Sequence, residues 1–291
     1  MPAETFEIHT ARGRIAGLGW RHSSGPRTLC LHGWLDNAAS FLPLADCLPE
    51  LDLVAIDLPG HGHSEHHHPS AHYHFAEYLF DVDATLDELG WTDCHLVGHS
   101  LGAGIAAIFA AGAPERVRSC VLLDALGPIS ASPDATAQRL RRSLLKNRHG
   151  SGKIRRFDSI DEMIRARRQV SDLSEEAARL ICERGARHDG NRFAWRSDPA
   201  LNWVSPVIMS DEQALDLLRN IEAPVLGLTV TVDSPWASAE KFEARRQAIP
   251  NARHILMEGH HHFHMDAPGD IAETVGEFIL GYDRPSARGT T

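Results

Sequence analysis

Apolar runs long enough to cross a bilayer are missing from this 291-residue chain. Stretches such as Cys120 to Leu123 and Pro224 to Leu228 fall far short of the roughly 20 residues that a spanning helix needs, so no membrane span is expected. Basic charge is also in deficit. Lys and Arg number 29 against 39 Asp and Glu, a formal net charge of −10, which argues against a surface built to neutralise phosphates and so against nucleic acid as a partner. Cysteine is scarce: five residues, Cys30, Cys47, Cys94, Cys120 and Cys182, an odd and widely spaced set lying mostly in apolar runs. Such thiols pack as small hydrophobes and do not make a disulfide framework. The first 15 residues, MPAETFEIHTARGRI, have neither a basic start nor an apolar stretch, so no secretory signal is read and a cytoplasmic location is expected.

What is present suffices for a core. Hydrophobic residues make up 43% of the chain and charged ones 23%, and the length fits one large domain or one domain with a sizeable insertion. Residues 6–20 alternate on either side of Ala11-Arg12-Gly13, the pattern of an opening edge hairpin. After it, short apolar runs at 28–31, 51–56, 95–97, 117–123, 225–232 and 254–257 take turns with amphipathic segments at 38–48, 75–89, 101–111, 237–249 and 270–280. Strand and helix in alternation require crossovers between parallel strands. The pattern therefore predicts a doubly wound α/β sheet with helices on both faces and functional loops at the strand C-terminal ends. Residues 127–220 break the pattern: no convincing strand is read there, and the segment is taken as an inserted helical cap between core segments 1–126 and 221–282, with 283–291 a flexible tail. Its arginines at 139, 141, 142, 148, 155, 156, 165, 167 and 168 read as a solvated face paired with nearby acids, with a phosphate or carboxylate clamp as the alternative.

One motif carries chemistry. Immediately after the run His95-Leu96-Val97 comes Gly98-His99-Ser100-Leu101-Gly102, and an Ala-rich helix follows at once. A serine on a sharp strand-to-helix turn is strained, and glycines on either side avoid Cβ collisions while its hydroxyl is raised above the sheet. The helix aims its N-terminus at the same point and favours an oxyanion there. Ser100 is thus the candidate nucleophile. An oxyanion hole needs the N–H after the nucleophile and a second from a neighbouring strand-end loop, which predicts Leu101 and Trp34 as donors, with His32 a buried residue tying down that loop.

His32-Gly33-Trp34, Asp57-Leu58-Pro59-Gly60-His61-Gly62-His63-Ser64 and Gly98 to Gly102 together resemble the α/β-hydrolase superfamily. Phe193-Ala194-Trp195-Arg196-Ser197-Asp198-Pro199-Ala200-Leu201 and Leu122 to Pro128 resemble its serine hydrolase-like subfamily, and the likeness spans most of residues 5–281. It implies a mostly parallel eight-stranded sheet carrying a cap, and a Ser-His-Asp triad. In the family pattern the catalytic histidine stands seven residues before a proline, which implies His261, counted from Pro268, ahead of His260. The acid follows either the seventh strand, as Asp233, or the sixth, as Asp124; Asp233 is preferred, although such relatives often lack an aspartate there. Asp57 is implied to be a loop anchor. His99 and Trp195 are expected to line the substrate pocket.

The expected function is cleavage of a small-molecule ester or related acyl substrate through an acyl-enzyme, with no metal or cofactor. Two alternatives compete. His61-Gly62-His63-Ser64-Glu65-His66 matches an H-x-H metal-ligand pattern and would suit a metallohydrolase. A catalytically silent binding protein on the same scaffold is the other.

Overall fold

The computed structural model describes residues 2–147, 154–230 and 238–283. The chain opens with the expected hairpin, β1 (Glu4–Thr10) and β2 (Gly13–Trp20). Then follow β3 (Arg27–Leu31), α1 (Leu42–Asp46), β4 (Asp52–Ile56), α2 (Glu77–Glu88), β5 (Cys94–His99), α3 (Leu101–Gly112) and β6 (Val117–Leu123). An insert comes next, with α4 (Thr136–Asn147), β7 (Arg156–Phe157), α5 (Ile160–Arg168), α6 (Glu175–Gly185), β8 (Ala186–Asp189), β9 (Arg192–Trp195) and α7 (Asp211–Arg219). The core resumes with β10 (Val225–Thr229), α8 (Ala239–Ala248), β11 (Ala252–Leu256), α9 (Phe263–Asp266) and α10 (Pro268–Tyr282).

Eight strands form one sheet in the order β1-β2-β4-β3-β5-β6-β10-β11. The hairpin strand β2 pairs antiparallel with β1 and β4, and every later pairing is parallel. Successive side chains of a strand face opposite ways, and both faces here are apolar. Leu29, Leu31, Val54, Ile56, Leu96 and Leu122 join a core with α2 and α3 residues such as Val82, Leu86, Ile105 and Phe109. Their neighbours Cys30, Leu53, Ala55, Val97, Val121 and Leu123 join a second core with Leu44, Ile271, Val275 and Ile279 of α1 and α10. Strand order turns back between β4 and β5 around β3, the position at which α/β sheets place their sites.

Four expectations change. The insert is not wholly helical: β7, β9 and β8 form a small antiparallel sheet, with Phe157 packed among Met163, Ile164, Ile181 and Cys182. These strands are two to four residues long and rich in Arg, too short for alternation to register. The expected helix at 38–48 is a 3-10 turn, Ala38–Phe41, capped by the Asn37 side chain, followed by the five-residue α1. The strand expected over 225–232 ends at Thr229. Asp283, the start of the expected tail, is held by Arg118 at 2.6 Å, and residues 284–291 lie outside the described residues. Among the described residues no helix is long and apolar enough to cross a membrane.

Candidate active site

Ser100 joins β5 to α3 at φ 52° and ψ −110°, and its N–H donates to the Leu123 carbonyl at 2.9 Å. The flanking glycines have measurable reasons. A Cβ on Gly98 would lie 2.3 Å from the Gly102 carbonyl oxygen, and one on Gly102 only 1.9 Å from that of Leu31. Helix α3 thus starts against the backbone of β3, where no other residue fits. Apart from glycine, positive φ occurs among the described residues at Leu35, Ser100 and Asp124. All three follow the ends of adjacent strands β3, β5 and β6, so backbone strain is concentrated at one place.

Asp124 lies directly after β6. Its own N–H donates to Leu228 O at 2.8 Å and its Oδ1 accepts the Val230 N–H at 3.0 Å, which aims Oδ2 at His261. Nδ1 of His261 stands 2.6 Å from that oxygen, leaving Nε2 on the other edge of the ring as the free basic nitrogen. Asp233 lies outside the described residues. His260 turns to the surface, with Nδ1 2.8 Å from Asp172.

His99, expected at the pocket wall, is instead wholly buried. Its Nε2–H donates to the His261 carbonyl at 2.8 Å, and the two rings pack with centroids 4.7 Å apart. The residue before the serine therefore supports the backbone of His261, whose ring meets Asp124, while the Ser100 N–H meets the carbonyl of Leu123, the residue before Asp124. The position in the sheet explains the correction: β5 is buried on both faces through His99, and the chain surfaces at Ser100. Trp195 packs edge-on to Phe157, 5.9 Å between centroids, and lines a cavity whose walls include neither Ser100 nor His261.

The loop after β3 is tied as expected of a buried His32: Nε2 accepts the Leu58 N–H at 2.9 Å and Nδ1–H meets the Gly33 carbonyl at 2.7 Å. Trp34, 46% exposed, sends its indole N–H to Leu201 O in the insert at 3.3 Å. Leu101 is the first residue of α3, where helix N–H groups have no acceptor within the helix. Asp57 is fully buried and accepts the N–H groups of Ala38 and His63, each at 2.7 Å, and the Arg184 fork from α6.

A buried polar group under the site had no signal in the sequence. Asp36 Oδ1 takes Arg167 of α5 at 2.5 Å, and Oδ2 takes His262 Nε2–H at 3.1 Å with His99 Nδ1 at 3.6 Å. Burial opposes ionisation of Asp36, but the charges of His262 and Arg167 and the hydrogen bond from His262 outweigh it and hold the carboxyl well below its ordinary range. Burial, and then the neighbouring His262 and His261, push His99 down to about 4 in spite of Asp36. The donor atoms of Asp36, His99 and His262 all lie within 4.8 Å of one another, a spacing open to a metal ion. Arg167 already neutralises the one carboxylate, however, so the set fits an internal ion pair better than a dication. His61, His63 and His66 form no such group among the described residues: His61 packs on His32, and His66 Nε2 meets the Arg196 carbonyl at 2.8 Å.

Residues 26–268 match the profile of the alpha/beta hydrolase fold family. This chain belongs to the α/β-hydrolase family, among its serine hydrolase-like members. It is 30% identical to a serine hydrolase-like protein of Danio rerio, over 95% of this chain and 88% of that one. Among solved structures, a hypothetical protein of Pseudomonas aeruginosa PAO1 superposes with a TM-score of 0.86 at 31% identity, covering 97% of this chain and all of that one. A thioesterase domain from the curacin biosynthetic pathway superposes at 0.84 with 23% identity, covering 97% of this chain and 100% of that one, a likeness of fold.

Proposed function

We propose that the protein is a serine hydrolase that cleaves an ester or related acyl substrate through an acyl-enzyme. Ser100 attacks the carbonyl carbon while Nε2 of His261 takes its proton; the N–H groups of Trp34 and Leu101 stabilise the oxyanion. His261 then hands the proton to the leaving group, and a water activated by the same nitrogen releases the acid and restores Ser100. Asp124 holds the Nδ1–H tautomer and stabilises the imidazolium. The observation that carries this reading is the 2.6 Å contact of Asp124 with His261 beside a serine in a strained strand-to-helix turn. The serine hydrolase-like relatives support the same class of chemistry.

A fluorophosphonate probe and a chain-length series of p-nitrophenyl esters test it. Labelling and turnover that vanish in Ser100→Ala are the expected result. Equal background rates and no labelling in either protein would point to a silent scaffold.

A further inference from the structure

Most arginines of the insert's small sheet and adjoining α6 have acid partners. Arg156 pairs with Asp189 and Arg192 with Asp158, each at 2.7 Å, and Arg184 forks onto Asp57. Arg155, Arg187 and Arg196 have no carboxylate partner among the described residues, and they meet at one cavity of about 200 Å³, shared with His66, Trp195 and Asn202. Two of them are oriented without being neutralised. The Arg155 guanidinium lies 4.6 Å over the Phe157 ring, and Arg196 Nε donates to the Ala186 carbonyl at 2.8 Å. Burial, then the charges of Arg184 and Arg187, push Arg196 below its ordinary value. Like charges gathered on a concave wall repel one another, and an anion seated among them removes that cost.

We propose that this cavity binds a phosphate group. Guanidinium forks engage phosphate oxygens two at a time, and three unneutralised cations suit a dianion better than a single carboxylate. Trp195 supplies an apolar wall for whatever carries the group. The cavity wall includes Pro199 and Asn202, the two ends of the turn whose Leu201 carbonyl accepts the Trp34 indole N–H. Phosphate can therefore arrive free or as the remote end of an acyl substrate, and the second source rests on the hydrolase reading above.

Isothermal titration of the full chain with inorganic phosphate at low chloride, repeated on Arg187→Gln and on the exposed Arg155→Gln, tests the proposal. Saturable binding that weakens about tenfold or more in each variant, and falls with added salt, is expected. No binding to the wild type, or equal binding by all three proteins, overturns it. A second arm identifies the source by comparing butyryl-coenzyme A, a phosphate-bearing thioester, with p-nitrophenyl butyrate. A rise in the KM of the first relative to the second in Arg187→Gln assigns the site to substrate; an unmoved ratio with phosphate binding lost assigns it to the free anion. The titration needs no turnover, so an inactive protein that binds phosphate would sink the hydrolase reading and leave the cavity's role intact.

Discussion

Asp124 Oδ2 stands 2.6 Å from Nδ1 of His261, while the other carboxylate oxygen is fixed by the Val230 N–H at 3.0 Å. A carboxylate held at both oxygens cannot rotate away from the imidazole. Asp124→Asn keeps the shape but offers the ring an amide in place of a charge. Turnover should fall roughly 10³- to 10⁴-fold, as when a triad acid is removed. Asp233→Asn should change it by less than about tenfold. Steady-state kinetics on a p-nitrophenyl ester decide between them, and the reverse pattern would move the acid to Asp233.

The two ends of α3 predict opposite outcomes for one substitution. Gly102→Ala drives a methyl to 1.9 Å from the Leu31 carbonyl oxygen, which neither backbone can yield without shifting the loop that carries Trp34. It should lower both the melting temperature and any turnover. Gly112→Ala meets nothing within 4 Å at the last helical residue and should stabilise by about 0.4 to 1 kcal/mol. Urea denaturation of both variants checks the contrast.

Arg167 and Asp36 are both buried, and their bond joins the insert to the loop after β3. Removing one partner strands a charge in the interior. Arg167→Met should therefore cost about 3 to 5 kcal/mol, and the Arg167→Met/Asp36→Asn double variant should recover part of that loss. A double variant no better than the sum of its parts, in urea titrations, would mean that the pair is not coupled.

Acid should weaken the fold well before ordinary carboxylates titrate. Burial, then the charge of His32, pushes His61 from 6.5 to about 3, and burial, then neighbouring histidines, pushes His99 from 6.5 to about 4. Both are thus neutral in the folded state, whereas the unfolded chain binds protons below 6.5. A depressed folded value means that the contribution is complete above pH 6.5 and is lost as pH falls through about 4 and then 3. The urea midpoint should drop steadily over that window, and His61→Gln should show a shallower slope. A midpoint flat from pH 7 to 4 would contradict it.

The elbow was legible because its signal is local. Gly98 to Gly102 sit between a strand and a helix whose apolar patterns are read over a dozen residues, and the same holds for the hairpin around Arg12. Asp36 was illegible because its partners Arg167 and His262 stand 131 and 226 positions away, and nothing in composition or spacing joins them. The choice between Asp124 and Asp233 stayed open for the same reason. Each follows an apolar run, and only the path of the loop bearing His261 says which is met. His99 looked like a pocket residue because it neighbours Ser100, yet one step along a strand reverses the side chain's direction.

Leu35, Ser100 and Asp124 each occupy left-handed backbone that glycine would adopt without penalty. Selection or engineering for heat tolerance would find ready gains at these positions, and each gain at the latter two would remove a side chain to which the proposed mechanism gives a role. A hardened descendant of this chain that has glycine at 100 or 124 would have exchanged the proposed chemistry for durability.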